Sequence, residues 1–177
     1  HNDMAHLQQL LEKHEDNTAP KFILTESVFS MDGDIAPLKT IQTLAKKYGC
    51  FVIVDEAHAT GVLGPKGRGL ADHADMVIGT FGKALGSFGA YIACSQILKD
   101  YLINCCAGLI YATALPPAIL GSIDAALDLI PTMDQEREHL TNIAEIFRKE
   151  MKILGADCGA SETQIVPLIM GGSEEVL

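Results

Sequence analysis

Short apolar runs, separated by stretches with helical spacing and by glycine-rich turns, carry the first half of the chain. Leu7, Leu10 and Leu11 recur at helical intervals and predict a helix over His6 to Lys13. Phe22-Ile23-Leu24-Thr25 then reads as a buried-type strand, followed by a polar loop, residues 30–34, whose Asp32-Gly33 step marks a turn. Pro37 opens a second helix with Leu38, Ile41, Leu44 and Ala45 on one face, and Gly49 lies just past its end. Further strands are predicted at 51–54, 76–78 and 90–94, with a glycine-punctuated stretch from Thr60 to Gly69 between the first two of them. The first two strands of the chain have a helix between them and should be parallel. The gap before the strand at 90–94 is too short for a helical crossover, so that strand should run antiparallel to its predecessor.

From Pro116 the spacing turns helical. Residues 118–130 are apolar nearly all round and are expected to be buried. Residues 134–154 place Leu140, Ile143, Ile146, Phe147, Met151 and Leu154 on one face, opposite charges, until Gly155 ends the helix. Gln164 to Met170 reads as a strand. The pattern predicts an α/β fold: a mostly parallel sheet with flanking helices over 1–130, then the start of a smaller α+β domain over 131–177. The expected junction lies near Pro131.

Composition fits a packed globular protein, with 48% hydrophobic and 20% charged residues. No apolar run approaches the length of roughly 20 residues that spans a bilayer. The N-terminal residues show no secretory pattern, so a cytoplasmic location is expected. The formal charge of −10 disfavours nucleic acid as a partner. Five cysteines with no C-x-x-C spacing read as reduced structural thiols.

The candidate chemistry centres on Lys83, set in Gly79-Thr80-Phe81-Gly82-Lys83-Ala84-Leu85-Gly86 after an apolar run. Among such neighbours the ammonium is expected to be partly buried, which favours a neutral amine able to form an imine with an aldehyde. Asp55 ends an apolar strand, where open α/β sheets bind ligands, and His58 follows three residues later. Amine, carboxylate and imidazole together are the equipment of a pyridoxal-phosphate site. Singly, each has a plainer reading: Asp55 as a cap, His58 as a satisfied loop histidine, Thr80 as a strand residue and Ser30 as a turn former. Asp55-Glu56-Ala57-His58 also spells the D-E-A-H box of nucleic-acid helicases, but no phosphate loop with its Lys-Ser/Thr step precedes it. No histidine or cysteine spacing matches a metal site, and none is expected. The glycine-rich run 64–69 reads as a mobile loop bordering the site rather than a phosphate cradle.

Residues 26–34, 54–61, 80–83 and 111–117, taken in order, resemble the α-oxoamine synthases, fold-type I pyridoxal-phosphate enzymes that join an amino acid to an acyl-CoA with loss of CO₂. The resemblance implies that Lys83 forms the imine with the cofactor, Asp55 pairs with its pyridinium nitrogen and His58 bonds its ring oxygen. It places Ser30 beside the ring and Thr80 at the phosphate. Thr113 would reach the phosphate of a neighbouring subunit, implying a homodimer. The string from Glu26 to Leu38 favours the family member of biotin synthesis, which condenses L-alanine with pimeloyl-CoA or a pimeloyl-carrier protein. Family members are markedly longer, so the resemblance predicts a fragment without turnover of its own, or a catalytically silent folding and dimerisation unit.

Overall fold

A computed structural model describes residues 1–172. Helix α1 (Met4–Lys13) starts two residues before the expected position, because the Asp3 side chain accepts from His6 N at 2.8 Å and caps it. Strand β1 (Lys21–Glu26), helix α2 (Leu38–Tyr48) and strand β2 (Cys50–Asp55) follow. Then come β3 (Met76–Thr80) and β4 (Ala90–Cys94). The sheet has the order β1-β2-β3-β4. As expected, β1 and β2 are parallel and β4 is antiparallel to β3; β3 is parallel to β2 as well.

One face of this sheet carries the core. Ile23 of β1 and Val52 and Val54 of β2 point to the same side, as alternation requires. Against them α2 packs the face read from its spacing: Leu38, Ile41, Leu44 and Ala45 are all buried, as is Tyr48. Gly49 ends α2 with φ +64°, a left-handed conformation that a Cβ disfavours. On the opposite sheet face Phe22 and Leu24 are 63% and 71% exposed.

Two helices, α3 (Gln96–Cys105) and α4 (Ala107–Ile110), lie where no helix is expected. Ser95 caps α3 by accepting from Leu98 N at 3.3 Å. Helix α3 buries no residue, so its apolar positions form no core-facing stripe to signal it. Helices α5 (Pro117–Leu129) and α6 (Asp134–Ile153) stand close to the expected ranges. The expected burial of α5 does not hold. Only Ile123 is buried, while Leu120, Leu127 and Leu129 are each about half exposed, because nothing among the described residues fully covers them.

The expected strand at 164–170 is absent too. The chain just ahead of it is held elsewhere: Glu162 N and Thr163 N both donate to Gly33 O, and Thr163 Oγ1 does so at 2.8 Å. Pro167 has no N–H for a ladder, and one bridge from Ile169 to Asp157 is all the pairing that forms among the described residues. Residues 173–177, the end of the range assigned to a smaller domain, lie outside the described residues. The stretch 60–69, expected to include a mobile loop, is instead closed on itself. Gly61 N donates to Gly67 O at 2.8 Å and Gly69 N to Leu63 O at 2.9 Å.

Two substitutions test this packing by urea denaturation of the full-length protein. Ile41→Ala, at a site 3% exposed, is expected to lower stability by about 2–5 kcal/mol. Gly49→Ala, where nothing lies within 4 Å of the place a Cβ would take, is expected to cost about 1 kcal/mol through backbone strain alone.

Candidate active site

Parallel pairing sets Glu26 of β1 beside Asp55 of β2, and Asp55 beside Ile78 of β3. The three strands therefore end at one edge of the sheet. Beyond Asp55 the chain turns tightly. Glu56 N still donates to Ile78 O at 2.7 Å, while Ala57 N donates to Asp55 Oδ1 at 2.7 Å. Ala59 N and Thr60 N then close onto Glu56 O. This turn brings the His58 ring toward the loop after β3, where Lys83 Nζ lies 2.7 Å from His58 Nε2. Asp55, His58, Lys83, Ser30, Glu26 and Phe29 line one cleft of about 520 Å³.

The Lys83 loop is held by its own backbone. Phe81 N donates to Gly89 O, Ser87 N to Phe81 O and Gly86 N to Lys83 O, at 2.8–3.0 Å. The expectation that Lys83 is partly buried is wrong: the residue is exposed. The apolar surroundings seen in sequence serve Leu85, which is 6% exposed and takes the inward position, while Lys83 stands out over the cleft. Solvent reaches the ammonium, so desolvation does not explain its chemistry here.

The titration of His58 is displaced downward from the ordinary value of 6.5, first by burial and then by the Lys83 charge, with Glu26 and Asp55 opposing. Its folded state therefore binds fewer protons than the unfolded chain. The stability associated with this group is present above the unfolded value and is lost as pH falls through the folded one. At neutral pH the ring is uncharged. An ammonium at Lys83 has only donors, so the ring accepts at Nε2 and keeps its proton on Nδ1.

The profile of the aminotransferase class I and II family matches residues 1–177. The chain belongs to that family. It is 54% identical over 180 residues to the 8-amino-7-oxononanoate synthase of Gluconacetobacter diazotrophicus, covering all of this chain and 45% of the relative. With the enzyme of that name from Geobacter metallireducens it shares 46% over 185 residues, covering 47% of the relative. The chain thus spans about half the length of the curated relatives it matches. A serine palmitoyltransferase structure from S. paucimobilis, with a bound PLP–myriocin aldimine, superposes with TM-score 0.91 at 31% identity, covering 98% of this chain and 47% of that one. An 8-amino-7-oxononanoate synthase from Francisella tularensis superposes with TM-score 0.78 at 28% identity, covering 94% and 51%. The four-stranded mixed sheet with flanking helices is part of the large domain of this aminotransferase-class fold.

In this family member the cleft gathers four of the six residues singled out from sequence: Asp55, His58, Lys83 and Ser30. Thr80 sits at the end of β3, but its hydroxyl is engaged in the loop, donating to Gly89 O at 3.0 Å and accepting from Gly82 N at 3.1 Å. Thr113 lies in the exposed segment between α4 and α5 and does not line the cleft. Sequence reasoning misses three neighbours as site residues. Glu26 accepts from Ser30 N at 3.1 Å, and Phe29 forms part of the wall. Gln164 donates to the His58 carbonyl at 2.8 Å from 106 residues away, a separation that no local pattern reveals. Spacing also gives no sign of a grouping of His1, Asp32 and Asp34, whose ligand atoms lie within 4.8 Å of one another. The cysteines are all free; Cys158 is buried, whereas Cys105 is exposed and not a core thiol.

The contact between Lys83 and His58 has a measurable signature. In Lys83→Ala, the His58 ring resonance is expected to titrate at higher pH than in the unsubstituted protein, because a repelling charge is gone. Burial should still keep it below 6.5. An unchanged midpoint by NMR would mean that the two side chains do not meet in solution.

Proposed function

We propose that this chain is the lysine-bearing part of an 8-amino-7-oxononanoate synthase, a pyridoxal-phosphate enzyme that condenses L-alanine with pimeloyl-CoA or pimeloyl-carrier protein and releases CO₂. The observation that carries the reading is the meeting of Lys83 Nζ and His58 Nε2 at 2.7 Å in the cleft that Asp55 also lines. The relatives' names support it, and so do the serine palmitoyltransferase structures solved with PLP. The donor set suits such a cofactor: an amine for its aldehyde, a carboxylate for its ring nitrogen and an imidazole for its ring oxygen.

When bound, the cofactor supplies an electron sink for charge developing on the amino acid's α-carbon. The protein's part is to bind, orient and move protons. Asp55 would keep the ring nitrogen protonated, with Oδ1 steadied by Ala57 N. Lys83 Nζ would hold the aldehyde carbon and, once freed by substrate, take up the α-proton. His58 would fix the ring oxygen, Ser30 would stand beside the ring and Thr80 would meet the phosphate. The exposure of Thr113 outside the cleft fits a role at a neighbouring subunit's site in a homodimer. The reading places the enzyme in the cytoplasm, working on small-molecule substrates. Among the described residues no helix is long and apolar enough to cross a membrane.

The likeness to serine palmitoyltransferase, at 31% identity, favours another α-oxoamine synthase as the second reading, 2-amino-3-ketobutyrate CoA ligase among them. A catalytically silent unit of the same fold is the alternative of another kind, and the share of the relatives that this chain spans keeps it in play.

Adding pyridoxal phosphate to the full-length protein is expected to give an absorbance band near the visible edge. Lys83→Ala should abolish the band and Asp55→Asn should alter its position and weaken binding. Alanine with a pimeloyl thioester should then release CO₂, where glycine with acetyl-CoA does not. A full-length protein that gives no band has no place in this enzyme class.

A further inference from the structure

We propose that Glu56 is a positioning residue: its buried carboxylate, tied to both sides of the turn, sets where Asp55 and His58 stand relative to Lys83. The inference rests on the proposed function only for what the positioned groups hold.

Glu56 lies between the two candidate site residues, and it is 1% exposed. No cation among the described residues pairs with it within salt-bridge distance. Burying a carboxylate without a counter-ion is costly, and an apolar side chain would pack at lower cost. Its oxygens are instead committed to hydrogen bonds. Leu70 N donates to Oε1 at 2.9 Å and Oε2 at 3.0 Å, and hydrogen bonding from Ser27 and Ala71 favours the charged form against burial, while Ser27 Oγ also donates to Asp55 O at 3.4 Å. Ser27 is fully buried, and its N donates to Asp55 O at 2.9 Å. The carboxylate thus pins the 59–71 loop at Leu70, and Ser27 links the end of β1 to Asp55 O beside it.

The backbone of the same residue completes the frame. Its N holds β3 through Ile78 O, and its carbonyl receives Ala59 N, Thr60 N and Thr60 Oγ1 at 2.9–3.0 Å. Thr60 Oγ1 in turn meets Tyr91 Oη on β4 at 2.8 Å. Gly69 shows how closely the loop must approach the carboxylate. It has φ +91°, and a Cβ there would fall 1.8 Å from Glu56 Oε2. Any other residue would push the carboxylate away or leave the loop open. With its side chain and backbone both fixed, Glu56 leaves Asp55 before it and His58 after it little freedom to shift. Gln164 Nε2 braces the His58 carbonyl from the outside.

The charges that displace the His58 titration are Lys83, Glu26 and Asp55; Glu56 is not one of them. Deleting the Glu56 charge can by itself only lower the His58 midpoint, so a rise in a Glu56 variant reports moved neighbours, not a deleted field. The test uses the full-length protein with Glu56→Gln and, as a milder cut that adds no volume, Ser27→Ala. Without cofactor, the His58 midpoint by NMR is expected to rise toward the ordinary value in both, more in Glu56→Gln, as contact with Lys83 loosens. With pyridoxal phosphate added, binding by absorbance should weaken on the order of tenfold, the scale seen when a supporting contact behind a ligand-holding group is lost. Variants that unfold at lower temperature, yet keep the His58 midpoint and cofactor affinity, would overturn the proposal and leave Glu56 a purely structural residue. Should Glu56→Gln fail to fold, Ser27→Ala decides on the same two readouts. If the unsubstituted protein binds no cofactor, the proposed enzyme fails, while the His58 midpoint still decides the role of Glu56.

Discussion

Parallel pairing of β1, β2 and β3 is the constraint from which the site follows. Because the strands run the same way, their carboxyl ends open at one edge, and the chain must leave each of them there. Glu26, Asp55 and Thr80 mark those ends, and the loops beyond them supply Ser30, His58 and Lys83. Reversing a single strand would send its loop to the opposite edge. The antiparallel β4 illustrates the point: it returns the chain from the Lys83 loop, so that both ends of that loop, Thr80 and Ala90, are paired in register.

The packing is lopsided, and that shapes what the edge can do. Helices α1 and α2 cover one sheet face, giving a core that runs from Leu11 through Ile41 to Val54. The other face leaves Phe22, Leu24 and Ile92 open, and much apolar surface on α3 and α5 is exposed as well. Exposed apolar area on this scale marks surfaces that pack against something. The cleft includes Leu24 and the strand-end residues Glu26 and Asp55, which alternate onto the open face, so it borders the uncovered side of the sheet.

Much of this is legible in sequence. The four strands, helix α2 with its buried face and the antiparallel return all follow from spacing, since period and gap length are local properties. Asp55, His58 and Lys83 are legible because strand ends and turns are local too. The misses share a different cause. Residues 118–130 look buried by composition, but burial needs a partner that composition does not name. Residues 164–170 have strand-like residues, yet the Gly33 turn captures their neighbours' backbone groups from far along the chain. The glycines and hydrophobes around Lys83 suggest an enclosed side chain, when the inward place belongs to Leu85, two residues on. Long-range capture and choice between adjacent side chains are tertiary facts.

The exposure of Lys83 changes the argument about its reactivity. An amine that attacks an aldehyde must first give up a proton, and burial would have favoured that loss by penalising the charge. Lys83 instead stands exposed, with Nζ 2.7 Å from His58 Nε2. The titration of His58 is displaced downward, leaving the ring neutral at neutral pH. A ring that readily stayed charged would instead confront the ammonium with a second cation. The same burial that disfavours the charged ring thus leaves Nε2 free to accept a hydrogen bond from Lys83. In the proposed enzyme, the half-buried histidine orients the exposed lysine over the cleft through this hydrogen bond.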